Sequence, residues 1–390
     1  MSRMTRGLAG LGVVALISAC APPGVDPSRA APQVLAAPAV TQTDETPEGF
    51  DLAALVDAAR KESGITVYDQ SGTVVKLAEN FAKKYGVRAR GVKVELGAIQ
   101  KVVREYESDN VVADVVVNED LASYAIELLD QGVLVNWIPG DVRDSIADNA
   151  RYPLLVHQGT FGWVYNNAVY DRCPVSNIWQ LTEPEWAGRV AMADPLSNSK
   201  YMTWFNELSL RDDQALRELY HQRYGEDLHT DEPTAAHEWV KRFAHNQPQL
   251  TKTDEEVSEA VGAPGQSAPS IGPVSMAKFR NVKGKGYALA ICDGLRPWAL
   301  KAFPSAVAIA ARSHSPNTAK LYVHYLLTEE GFAPLAADGK VSTNSMVPLP
   351  DDPSNVRSFI DQTEPVDNRY LISDYETRST WEDFWRVSRR

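Results

Sequence analysis

Between residues 51 and 129 one three-part pattern recurs: a short apolar, β-branched run, a polar turn, and an amphipathic helix. Residues 51–62 (DLAALVDAARKE) place Leu52, Leu55, Val56 and Ala59 on one helical face, and Gly64 ends that helix. Residues 65–68 (ITVY) then read as a buried strand, followed by the turn Asp69-Gln70-Ser71-Gly72-Thr73 and a helix over 74–85. The pattern repeats from 92–96 into a helix over 99–106. It repeats again from 113–117, through Asn118-Glu119-Asp120, into a helix over 121–129. Strands and helices joined in this way predict an α/β fold with a mostly parallel sheet covered by helices on both faces. Ligands of such sheets sit at the carboxyl ends of the strands, so residues 69–73 and 118–120 are the first candidate ligand loops.

A second unit follows. Residues 159–167 (GTFGWVYNN) are β-rich, and 183–189 (EPEWAGR) lead into a strand near 190–193. Residues 194–201 (DPLSNSKY) then open a helix carrying Met202, Trp204 and Phe205, and residues 212–247 read as polar helices. Strand–helix–strand patterns at 269–280 and 286–298 precede a return to apolar strand and helix at 306–311, 319–327 and 332–337. No period of 20–50 residues recurs, which excludes solenoids and propellers.

The N-terminus carries an export pattern. Arg3 and Arg6 precede a short apolar run at 8–17, and Ile17-Ser18-Ala19-Cys20 closes it. About ten apolar residues fall short of the roughly 20 that a spanning helix needs, so a cleaved signal over 1–19 fits better than an anchor helix. Ile-Ser-Ala-Cys resembles a bacterial lipobox, which implies a lipid on Cys20; the alternative is an ordinary signal with an incidental cysteine. Residues 20–50, with six prolines among Ala, Thr and Ser, read as a tether. The expected location is therefore extracytoplasmic, on the membrane surface. The formal charge of −12, from 39 Lys+Arg against 51 Asp+Glu, becomes −14 once Arg3 and Arg6 are removed and excludes a nucleic-acid grip.

Taken in order, residues 65–68, the 113–116 strand ending at Glu119, 162–166 (GWVYN), 184–189 (PEWAGR) and the Asp194-Pro195 turn resemble the ferric-iron-type, bilobal solute-binding lipoproteins of bacterial ABC importers. The resemblance spans roughly residues 60–350. It implies two α/β lobes, each a mixed, mostly parallel sheet flanked by helices, joined by crossover strands and closing on a solute by a hinge. The boundaries read as 51–158 for the first part of lobe 1, 159–300 for lobe 2, and 301–390 for the return to lobe 1 and the C-terminal helices. The implied partners are a small-molecule solute and the importer's permease subunits. No cofactor, catalytic activity or nucleic acid is expected, and the chain is expected to be a monomer.

Candidate ligand residues follow from chemistry and resemblance together. Ser197-Asn198-Ser199 opens a helix where hydroxyls and free N–H groups suit an oxyanion, although Ser and Asn are also ordinary caps. Ser71-Gly72-Thr73 has the same form in the first lobe, and Ser275 marks a third such opening. The resemblance places an acidic ferric-iron ligand at Glu119; the alternative is a solvated first-turn carboxylate. The chain departs from the ferric pattern in lacking a first-strand histidine and a tyrosine pair, reading 271–278 as IGPVSMAK, with Lys278 and Arg280 nearby. Hard cations prefer several anionic oxygens, so the departure argues against iron. Lys200 and Lys278 as point charges, Arg296 as a bidentate fork and Trp298 as a stacking face point to an organic phosphate, phosphonate or carboxylate. Asp69, Glu119 and Asp293 would then hold an amine or hydroxyl of the same solute.

Cys173 and Cys292 are either a bridge or two buried thiols. His221, His229, His237 and His245 recur every eight residues, a spacing that shares no helical face, and read as solvated. The expected function is capture of an oxyanion-bearing solute for import. Binding of an iron–anion pair is the alternative, and a phosphate-ester hydrolase a weaker one, since no Gly-x-Ser-x-Gly or His-Glu-x-x-His motif is present.

Overall fold

The structure, a computed structural model, describes residues 43–45, 49–94, 97–337, 339–348, 352, 354–364 and 366–390. The expected signal segment, Cys20 and most of the expected tether lie outside them. The first part of the chain alternates as its pattern requires. Strands β1 (Thr43–Glu45), β2 (Ile65–Asp69), β3 (Ala89–Lys93), β4 (Val115–Asn118) and β5 (Leu134–Ile138) interleave with helices α1 (Leu52–Ala59), α2 (Thr73–Tyr85), α3 (Ala98–Glu107) and α4 (Leu121–Ser123), the last continued by a π-helical turn over Tyr124–Leu129. β3 begins three residues before the stretch expected from the pattern. The reason is Gly91: it lets the strand run against the start of α2, where a Cβ would stand 2.3 Å from the Val74 carbonyl oxygen.

The long strand β6 (Leu155–Tyr165) then carries the chain into a second unit: β7 (Ala191–Ala193), α5 (Ser199–Arg211), α6 (Asp213–Tyr224), α7 (Ala235–His245), β8 (Gln249–Thr251), α8 (Asp254–Gly262), β9 (Gly272–Ser275), α9 (Arg280–Lys285) and β10 (Ala290–Ile291). A second long strand, β11 (Leu300–Ala310), returns to the first unit, where α10 (Pro316–Leu326), α11 (Glu329–Ala336) and β12 (Val341–Ser342) follow. The chain ends with β13 (Thr363–Glu364) and α12 (Leu371–Ser388).

The main sheet runs β1-β5-β11-β4-β2-β3, with β2 parallel to β3 and β4 and with β11 antiparallel to β4 and β5. β6 pairs antiparallel with β11 and, further along, with β9 and β10. Two cores result. One packs Val67, Phe81, Val115, Trp137, Tyr322 and Tyr325 around the main sheet. The other joins Trp163, Trp179, Trp204, Phe205, Trp239 and Phe243. α12 belongs to this second core: Trp381 and Trp385, four residues apart, are buried against α5 and α7. The fold is thus α/β with two cores bridged by β6 and β11.

The bridge is tight. At Gly162, opposite Leu300, an added Cβ would lie 2.4 Å from a Leu300 methyl and 2.5 Å from the Ala299 carbonyl oxygen. Gly162→Ala should therefore cost about 1–3 kcal/mol through overpacking. Urea unfolding is the check, and an unchanged midpoint would contradict this packing.

Candidate ligand-binding site

The carboxyl edge of the first lobe's sheet presents two acids. Asp69 ends β2, and Glu119 follows β4. Their loops are tied together, because Gln70 Oε1 accepts the Glu119 N–H at 3.0 Å. Asp69 Oδ1 accepts the Ser71 N–H at 2.8 Å, and Ser71 Oγ donates to Thr73 Oγ1 at 3.1 Å, so the 69–73 turn is held by its own side chains. Asp69 is only 7% exposed. Burial pushes its carboxyl up to about 7, with Lys340 opposing and Glu119 adding to the rise. Lys340 also reaches β6, where its Nζ lies 3.2 Å from His157 Nε2. Burial first, and Lys340 second, push the buried His157 well below the usual histidine range, so its ring is neutral.

The second lobe faces these groups with the opening of α5. Asn198 caps the helix, its side chain accepting the Lys200 N–H at 3.3 Å. Lys200 Nζ lies 3.0 and 2.9 Å from the two oxygens of Asp254, and Asp254 Oδ2 also accepts the Ser275 N–H at 3.0 Å. A carboxylate of the protein itself therefore sits where an oxyanion was expected to meet Lys200 and Ser275. Above the pair, Phe161 and Phe303 lie 5.2 and 5.4 Å from the ammonium. Glu119 is raised by burial, lowered by Lys340 and Lys200 and raised by Asp254, so charges of both lobes act on it. A narrow crevice of about 50 Å³ joins the two sides, lined by Glu119, Ser199, Lys200, Thr203, Phe303 and Asp374 among others.

The expected site residues divide. Ser71, Gly72, Thr73 and Glu119 stand on the first lobe's edge, and Ser197, Asn198, Ser199 and Ser275 gather around the α5 opening. Asp293, Arg296 and Trp298 do not join them. β10 pairs with the end of β6 that is distal to the first lobe, which carries the loop after it away from the cleft. Arg296 is bound there through its backbone, its N–H to Ser176 O and its carbonyl to Ile178 N, both at 3.0 Å. Trp298 Nε1 donates to Asp212 Oδ2 at 3.0 Å, beyond the far end of α5 and about 20 Å along that helix from Ser199. Asp293 lines a separate hollow beside Cys173, which is bonded to Cys292 with an S–S distance of 2.04 Å.

Lys278 is engaged too, 3.0 Å from Glu255, whose carboxyl Lys285 and Lys278 help hold at about 2 against the opposing effect of burial. Among the described residues no group of three His, Cys, Asp or Glu is placed to hold a metal. His237 is not solvated as expected: it stacks on Trp381 at 4.1 Å. Sequence reasoning missed His157, Lys340, Asp254 and Phe303, which meet at the cleft only through pairings 20 to 180 residues apart. Single residues in a strand or a turn carry no local sign of that.

The family model of the bacterial extracellular solute-binding proteins matches residues 65–340, about 70% of the chain. The chain belongs to this family. No curated protein sequence matches this solute-binding protein. Among solved structures it is similar in fold to iron-bound HitA from Pseudomonas aeruginosa (TM-score 0.63, 16% identity, covering 83% of this chain and 99% of that one). It is also similar to the substrate-binding protein of an ABC transporter from Agrobacterium tumefaciens (0.64, 12%, 86% and 97%). A third is AgtB from A. tumefaciens R10 in complex with agropinic acid (0.59, 15%, 83% and 99%). The likeness shows the shared bilobal fold. The family's role is solute binding in transport.

Asp69 gives a pH signature. Its folded-state pKa, about 7, lies above the ordinary 3.8, so between these values the folded chain keeps a proton that the unfolded chain releases. Stability therefore falls as pH rises through this window and stays lower above it. Asp69→Asn should raise stability at pH 8 by up to about 4 kcal/mol, and by less than half of that, roughly, at pH 5. Urea melts at the two pH values read the difference, and an equal effect at both would refute the assignment.

Proposed function

We propose that this solute-binding protein captures a small organic solute carrying both an oxyanion and an amine or hydroxyl, and delivers it to the permease of an ABC importer. The observation that carries the reading is the opposition of Glu119 and Lys200 across the cleft, each placed by a different lobe and each lining the same crevice. The hydroxyls and N-terminal dipole of α5 suit the oxyanion. Asp69 and Glu119 suit the amine or hydroxyl, which would offset the burial that raises both carboxyls.

In this reading the solute docks on one lobe, the lobes rotate about β6 and β11, and the other lobe's groups complete the site. Contacts made only in the closed form drive the change. The organic ligand of the similarly folded AgtB agrees with this class. Ferric iron, the ligand of the similarly folded HitA, fits this donor set poorly. Glu119 stands without the phenolate pair of the ferric pattern, and the cleft carries two lysines instead. The protein acts by stoichiometric binding without turnover, anchored outside the cell membrane by lipid on Cys20 and working as a monomer.

A thermal-shift screen of amino acids, sugar phosphates, phosphonates and ferric citrate should find a stabilising organic solute. For that solute Glu119→Gln should weaken binding tenfold or more, about 1.4 kcal/mol, whereas Arg296→Gln, remote from the cleft, should leave it unchanged. Small-angle scattering should show compaction on binding. A tight ligand that compacts nothing and ignores Glu119→Gln would overturn the proposal.

A further inference from the structure

The crevice continues beyond the cleft. It follows one face of α5, where Ser199, Thr203 and Glu207 succeed one another at four-residue spacing, a run of about 12 Å. α12 closes the far side with Leu371 and Asp374, and β11 contributes Lys301. Leu121, Pro304 and Val366 give the passage apolar walls.

Its inner end is acidic and buried. Lys301 Nζ bonds Glu207 Oε2 and lies 3.5 Å from Glu364 Oε2, while Arg211 lies 3.5 Å from Glu364 Oε1. Asp374, 3% exposed, accepts Asn206 Nδ2 on Oδ1 at 2.7 Å; among the described residues its Oδ2 receives no hydrogen bond. The neighbouring cation on α12, Arg378, is turned to Asp120 in a bidentate pair at 2.6 and 2.7 Å. Glu207, Glu364 and Asp374, with the buried Asp212 beside Arg211, thus share two close cations, Lys301 and Arg211. Burial raises Asp374 to about 6, against the Asn206 hydrogen bond and the charges of Lys301 and Arg378 and with that of Glu364. A buried wall with more carboxylates than close cations, at the end of a narrow passage with apolar walls, is a place for a cation on a chain.

We propose that the space between α5 and α12 is a second compartment of the solute site, which takes the primary amine or guanidinium end of an elongated solute and sets it against Asp374. The inference rests on the reading of the cleft above and narrows the solute to one with a distal cation. The oxyanion stays at the α5 opening, and the connecting chain lies along Thr203 between the apolar walls.

Calorimetric titration with two matched pairs of probes tests this: arginine against citrulline, and lysine against norleucine. The charged member of at least one pair should bind tenfold or more tightly. Asp374→Asn, which keeps the Asn206 bond, should bring its affinity down to that of the uncharged partner. Thr203→Met, which fills the passage without touching the charges, should do the same and serves if Asp374→Asn does not fold. Equal affinities within both pairs, or a preference that survives both variants, overturn the inference. If none of the four binds while another polar solute binds in a manner sensitive to Glu119→Gln, the second compartment is refuted and the cleft reading stands. If no solute is sensitive to Glu119→Gln, both fall.

Discussion

The antiparallel pairing of β6 with β11 is the constraint on which the rest of the molecule depends. Seven register pairs, from Leu300 opposite Gly162 to Ala306 opposite Leu155, carry the backbone from one core to the other. At the Ser305/Ala306 irregularity β11 shifts register against β6, and from Ala306 onward it also pairs with β4 and then β5. Pro304, one residue earlier, has no N–H to give to the ladder. This irregular stretch lies beside the crevice, which Phe303 and Pro304 line. A stiff pair with one loosened step lets two packed bodies rotate while keeping their facing groups in register.

The cleft between them is arranged by charge. Lys200 and Asp254 neutralise each other on the second lobe, whereas Asp69 and Glu119 on the first share Lys340 as their nearest counter-charge. On the first lobe the carboxyls thus outnumber their nearest cation, whereas on the second the pair is balanced. Arg378 adds a link between them. It rides on α12, which packs into the second core, yet it binds Asp120 and Ser123 beside Glu119 in the first lobe. The final helix thus ties the lobes at the residue next to the candidate ligand carboxylate.

Much of this was legible in the chain. The strand–turn–helix recurrence over residues 51–129 predicts the first lobe, and Glu119 and Ser71 stand at the strand ends because that is where such sheets expose their loops. The α5 opening at Ser197-Asn198-Ser199 was readable for the same reason: cap chemistry is local. What failed was everything decided by tertiary pairing. Arg296 and Trp298 look like anion-binding residues in isolation, but the pairing of β10 with the distal end of β6 leads the chain away from the α5 opening, where Arg296 is held through its backbone and Trp298 bonds Asp212 at the opposite end of α5. Lys278 looks free until Glu255 is brought beside it, and Asp254 gives no sign, 54 residues from Lys200, of being its partner. The role of α12 was hidden similarly: the C-terminal residues read only as helices, and the packing of Trp381 and Trp385 into the second core is set by tertiary contact.

The bond between Cys173 and Cys292 has an architectural effect of its own. It closes a loop of 119 residues that holds nearly all of the second lobe. On the chain-entropy account such a closure limits the unfolded ensemble by about 4–5 kcal/mol. The first lobe has no such tie among the described residues, and its chain is gathered from two distant stretches that must meet across the second. The two halves therefore differ in kind: one is a covalently looped segment whose core is completed by α12 from outside the loop, and the other is gathered from separate stretches. In a reducing compartment the loop would open, so the entropic restraint on the second lobe depends on where the cell keeps the molecule.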